Sequence, residues 1–380
     1  MEKIIDILFN GFSIAGIILG LYLLFSGLQL KYVKTYFLKA WLIIIVMQIV
    51  FYLLNLNAVL PNYLNINYFA FPLCMLHMPL FYLAIVDLTK IRRITGLEKA
   101  LHVSFYLVYV AWLVSIDIST VKDILVINGF ISLPSGLSSF TYAFVGIPLA
   151  VVSLVYSILC LIAMFQYKKL LKANLSNTDK YQLHWITYLV WAIILLFILI
   201  YLVIIARTDF MLTKASITFK LVNILLFFFL LAFGVKYQKQ LIYFLKNEVV
   251  PLEIPAKTKY VNSGLTNENM VLIAQKMNLL IKSKELYLDE YLTLQKVADV
   301  LEESPQSISQ TLNDHLSTNF YTYINTLRLD LAENKLQDPS FSKLSIMGIA
   351  MDSGFKSKST FYKLFKQKTG KTPAEYRNLE

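Results

Sequence analysis

Two cysteines in 380 residues, Cys74 and Cys160, both inside apolar runs, leave no disulfide framework and no set of thiol or imidazole ligands at zinc spacing. Charge is scarce as well. Asp, Glu, Lys and Arg make up 16% of the chain, against about 25% in soluble globular proteins, while hydrophobic residues reach 57%. Acid is scarcest at the start: residues 1–246 hold 8 Asp/Glu with 19 Lys/Arg, whereas residues 247–380 hold 16 of each. Also missing are a glycine-rich phosphate loop, paired catalytic carboxylates, a metal-ligand cluster and the ATP lid of a histidine kinase. Neither an enzyme nor a bound cofactor is expected. What is there is a long apolar part with a polar appendage.

The apolar part divides into seven stretches, each near the ~20 residues a bilayer-spanning helix needs. They run over residues 4–30, 37–54, 68–88, 101–116, 142–165, 185–206 and 221–237. The first is too long for a signal-peptide core, and no small-residue cleavage site follows it, so it counts as a helix. Lys and Arg number 14 after the odd-numbered stretches and 5 on the other side. The positive-inside rule then places the N-terminus outside and the C-terminal part in the cytoplasm. The expectation is an all-α protein of the inner (cytoplasmic) membrane: a seven-helix bundle over 1–246, a linker over 247–265 and a helical domain over 266–380.

The outer loops, 55–67, 117–140 and 207–220, are too short to fold as separate sensor domains, so a signal would have to be read by the bundle, by lipid or by a partner helix. An ionisable residue inside a span is a functional candidate by default. His77, between Pro72 and Pro79, is the best one, because prolines free backbone carbonyls beside it. A structural hydrogen bond between helices and a signal-sensing role are both open for it. No chain of acids crosses the apolar part, which disfavours a proton-coupled transporter.

Pro251, Pro255, Asn262, Ser263 and Gly264 mark the linker. Thr266 can cap a helix reaching about Lys284. Thr293 caps a short helix carrying Leu294, Val297, Ala298 and Leu301 on one face. Glu302 and Glu303 form a turn, and Ser304 caps the next helix with Pro305 at its first position. Small Ala298 lets two helices cross closely, as in a helix-turn-helix. A second unit follows: Ser345 starts a helix with Ile346, Ile349 and Ala350, Gly354 supplies a left-handed turn, and Ser357 caps a helix with Phe361, Leu364 and Phe365 on one face. Residues 320–336 join the two units.

In these motifs the stretch from Lys259 to Arg377 resembles the AraC family of transcription regulators. The second unit carries the most diagnostic residues: Gly354-Phe355, Ser357, Ser359, Phe361, Phe365-Lys366, Gly370, Thr372-Pro373 and Tyr376-Arg377. The joining run fits too, with Asn319-Phe320-Tyr321, Ile324-Asn325, Leu327-Arg328-Leu329, Ala332 and Leu336. Lys259-Tyr260 and Asn262-Ser263-Gly264-Leu265 are similar to the lead-in of membrane-anchored members. The resemblance implies two helix-turn-helix units on a long helix, and double-stranded DNA as partner. Two departures are Glu302, where Gly or Asn is frequent in the family, and Ser317, where Gly is.

Charge divides the two units. Residues 248–338 hold 8 basic and 13 acidic side chains, and residues 343–377 hold 8 and 2. The second unit therefore supplies phosphate attraction. With Ile308 and Leu312 facing the core, Gln306, Gln310 and Asn313 fall opposite, and amide side chains suit the adenine edge. In the second unit Ser359, Lys363 and Lys366 lie opposite Phe361 and Phe365, flanked by Lys358 and Tyr362. A merely solvated polar face is the plainer alternative. The reading is a membrane-anchored regulator, expected as a homodimer, that couples a small-molecule, lipid or protein signal to transcription. The rival is a transporter or receptor whose cytoplasmic domain binds a protein.

Overall fold

A computed structural model describes residues 2–27, 36–56, 71–120, 125–127, 130–132, 139–205 and 265–378, together with 224, 227 and 228. Two compact units result, one made of Met1–Phe165 and Leu183–Glu248, the other of Gln166–Gln182 and Val249–Glu380. The grouping of Gln166–Gln182 with the C-terminal residues is not announced by composition, because that segment lies between two apolar runs.

In the first unit α1 (Glu2–Tyr22) ends in a π-helical turn, Leu23–Gly27, and packs on α2 (Tyr36–Leu56). A 3-10 turn, Phe71–Leu76, leads into α3 (His77–Thr89), which packs on α2 and is buried over nearly all its length. Then come α4 (Gly96–Thr120), an antiparallel hairpin of β1 (Leu125–Ile127) and β2 (Phe130–Ser132), α5 (Ser139–Asn174) and α6 (His184–Ile205). Apart from that hairpin, the described elements are helical. Large apolar side chains point outward along these helices, among them Ile7 (72% exposed), Val108 (68%), Phe165 (71%) and Leu195 (67%). Water disfavours such faces.

Four stretches among the described residues are long and apolar enough to cross a membrane: Lys3–Phe25, Tyr36–Leu54, Pro72–Thr89 and Val151–Asn174. They match the first, second, third and fifth expected spans. The fourth falls in α4, whose first turns carry Glu98, Lys99 and His102. The sixth falls in α6, where the qualifying apolar stretch is the shorter His184–Leu195. The seventh, apart from residues 224, 227 and 228, and the linker, apart from Leu265, lie outside the described residues.

In the second unit α7 (Asn267–Ser283), α8 (Leu294–Leu301) and α9 (Pro305–Gln310) surround one apolar core, built on Met277, Ile281, Val297, Leu301, Ile308 and Leu312. The long α10 (Phe320–Gln337) gives Phe320 and Ile324 to that core. Its later residues Leu329, Ala332 and Leu336 enter a second core with α11 (Ile346–Asp352), α12 (Lys358–Thr369) and α13 (Pro373–Arg377). Both departures from the family turn residues adopt the backbone a glycine would: Glu302 has φ +55° and Ser317 φ +49°.

Candidate nucleic-acid interface

Each helix of the two pairs starts on a side-chain cap, because the first amides of a helix have no partner within it. The Thr293 hydroxyl accepts from the Lys296 amide, Ser304 from Ser307, Ser345 from Gly348 and Ser357 from Thr360. α8 ends on left-handed Glu302 and α12 on Gly370 at φ +76°. These caps fix where α9 and α12 begin, and so which side chains they present.

On α9 and its continuation, a π-helical turn over Thr311–His315, Gln306 is exposed. Gln310 is buried (7% exposed), so it lies off the solvent-facing side expected for it. Asn313 is exposed but folds back, its amide donating to the Ser309 carbonyl at 2.8 Å. On α12, Lys358, Ser359, Lys363 and Lys366 are exposed, while Tyr362 is half-buried with the Lys358 ammonium 5.4 Å from its ring. Ser359 and Ser357 share a hydroxyl contact at 2.9 Å. Lys368, further along, is held by Asp330 and Glu333 of α10, at 2.5 and 2.7 Å.

Between the two cores stands Arg328, 1% exposed, in the middle of α10. Its Nε donates to the Tyr287 carbonyl at 2.6 Å and its Nη2 to the Asp289 carbonyl at 2.8 Å. Nη1 reaches the Asn325 side-chain oxygen and the Ser176 carbonyl, both at 3.3 Å. Burial pushes its pKa down to about 10, with Asp289 opposing, so the guanidinium stays charged at neutral pH. Gly354 (φ +89°) seats the second unit against this node. A Cβ there would meet the Tyr287 carbonyl oxygen at 2.7 Å and Arg328 Nε at 3.0 Å. A third tie is Lys356, whose ammonium lies 2.5 Å from Glu290 and 2.7 Å from the Tyr291 hydroxyl. That bond to Glu290, then the one to Tyr291, raises the lysine's pKa. Arg328 and Gly354 are motif residues in the sequence, but their separation along the chain hides that they meet.

A family model described as a helix-turn-helix domain matches residues 297–379. The C-terminal region is an AraC-type helix-turn-helix domain. Its first unit runs over α8 and α9, its second over α11 and α12. Similar proteins include uncharacterized HTH-type transcriptional regulators of Staphylococcus aureus strains COL, MSSA476 and N315, each 28% identical over 121 residues. The match covers 32% of this chain and only 15% of the length of each of those relatives. No solved structure matches the chain.

The remaining sequence candidate, His77, belongs to the first compact unit. It opens α3, and its Nε2 hydrogen-bonds the side-chain oxygen of Gln48 on α2, whose amide donates to the Tyr52 hydroxyl at 2.9 Å. That is the geometry of an interhelical hydrogen bond, one of the two roles open for this histidine.

Proposed function

We propose that the protein is a membrane-anchored, sequence-specific DNA-binding transcriptional regulator, not an enzyme, that couples a signal received by its apolar helices to transcription. The observation that carries the reading is the pair of capped helices, α9 and α12, on one long helix, with exposed lysines concentrated on α12. Phosphate contacts from Lys363 and Lys366 position the domain, and polar side chains of α9 and α12 read bases. The outward apolar faces of α1, α4, α5 and α6 favour a lipid surrounding over water. Seven spans, an outside N-terminus and a cytoplasmic AraC-type domain make a consistent topology, with a homodimer acting on repeated half-sites. His77 is the first place to look for the response to a small-molecule, lipid or protein signal.

Genomic footprinting of the intact protein tests the DNA reading directly. Discrete protected sites are expected, and uniform absence of protection would overturn it. Reporter fusions test the anchoring: one after Lys246 should report the cytoplasm and one at Asn62 the outside. Opposite labelling at Asn62 would refute the topology.

A further inference from the structure

The short segment Gln166–Gln182, which joins the runs expected as spans five and six, belongs to the same compact unit as the AraC-type domain. It is seated there by buried bonds. Ser176 is 1% exposed. Its amide and hydroxyl both donate to the Leu292 carbonyl, at 3.2 and 2.8 Å, and its hydroxyl accepts from Arg328 Nη2 at 3.1 Å. Its carbonyl takes the Asn325 amide at 2.9 Å, and Leu175 makes a bridge with Thr293, the cap of α8. At its other end, both carboxylate oxygens of Asp179 accept from the Thr360 hydroxyl, at 3.0 and 2.8 Å. The Lys180 ammonium rests 5.0 Å from the Tyr291 ring. One short stretch thus touches the start of the first helix-turn-helix, the helix joining the two, and the first turn of α12.

The last of these contacts bears on DNA. The first turn of a recognition helix, with its hydroxyls and free amides, is where a backbone phosphate is held. Here a carboxylate already takes the Thr360 hydroxyl. Alongside, Lys172, 5.5 Å from the Tyr321 ring, stands near enough to Lys363 for the two ammonium groups to repel. A phosphate approaching the Thr360 hydroxyl meets the Asp179 carboxylate and the segment that carries it. We infer that residues 175–182 form an intramolecular strap that occupies the DNA-facing edge of the second unit and keeps the domain in a state of low DNA affinity. The inference rests on the DNA-binding reading and adds its control. Because the strap continues directly into α5 and the run of α6, a shift of those helices pulls on it without passing through the linker at 247–265.

The test uses the full chain in detergent micelles and a random-sequence duplex labelled for fluorescence anisotropy at low salt. Asp179→Ala should bind about three- to tenfold more tightly than wild type, the scale of one ordinary hydrogen bond, since this one lies at an exposed edge. Glu268→Ala takes the same charge from an exposed turn of α7 and should change affinity little. In hydrogen exchange, Ser176→Ala should speed exchange of residues 175–182 and of the Thr360 turn, and it too should tighten binding. Unchanged or weaker binding by Asp179→Ala, with wild type binding measurably, would overturn the strap while leaving the DNA reading intact. No binding by wild type or any variant would overturn the DNA reading, and the strap's role with it.

Discussion

Gly354→Ala tests the join between the two helix-turn-helix units, and its cost can be worked from three contributions. At φ +89° an alanine carries a backbone penalty of about 1–3 kcal/mol. Its Cβ would stand 2.7 Å from the Tyr287 carbonyl oxygen and 3.1 Å from Leu288 Cα, both backbone atoms that cannot swing aside. The turn must therefore move, and the Tyr287 carbonyl is the one that accepts Arg328 Nε at 2.6 Å. Loosening a hydrogen bond to a buried cation costs about 1.5–3 kcal/mol. Because these effects share one displacement they do not add fully, and about 3–5 kcal/mol is expected. Gly370→Ala is the internal control: φ is +76° there, but nothing lies within 4 Å of the new Cβ. It should cost only about 1–2 kcal/mol. Hydrogen exchange of the full chain, read at the amides of α10 and α12, should show roughly a 10²–10⁴-fold loss of protection for Gly354→Ala and about tenfold for Gly370→Ala. Equal losses for the two variants would refute the close approach to Arg328.

Arg328→Met should lower the denaturant midpoint of the C-terminal unit by the equivalent of about 2–4 kcal/mol, because the Tyr287 and Asp289 carbonyls lose their donor; an unchanged midpoint would show that the node is dispensable. Lys363→Ala should weaken binding to all duplexes and lower the salt slope by about one, whereas Gln306→Ala should alter preference at one base pair by roughly 1–3 kcal/mol. Competition binding with scrambled sites separates the two, and the same uniform loss for both would contradict the division of labour. The bond from Lys356, then that from Tyr291, holds the Glu290 carboxyl below its ordinary 4.5. A depressed carboxylate stabilises the fold above its unfolded pKa and loses that contribution as pH falls through its folded value. Melts of wild type and Glu290→Gln should therefore differ at neutral pH and converge only as pH falls well below 4.5; a difference that persists in strong acid would count against the pairing.

Local chemistry was legible from the residue order. Thr266, Thr293, Ser304, Ser345 and Ser357 are caps in the structure because a hydroxyl three residues before an amide needs no distant partner. The apolar faces Leu294–Leu301 and Phe361–Phe365 fall in the two cores because a periodicity of 3.6 fixes which side is buried. The expected base-reading face of α9 was legible only in part. A helical repeat places Gln310 opposite Ile308, but its burial depends on what else packs there.

Hydropathy and turn residues by themselves determined that an apolar first part precedes two capped helix pairs, since burial period, capping and charge are properties of neighbours along the chain. Tertiary structure decided that Arg328 is a buried cation rather than a surface phosphate contact, and that Gly354 must be glycine for space as well as for φ. It alone brought Ser176 to Arg328 and Asp179 to Thr360, pairs separated by 152 and 181 residues. A serine and an aspartate in a polar turn carry no periodicity and no motif. Their partners are chosen only when the fold closes and unpaired carbonyls and hydroxyls must find one another.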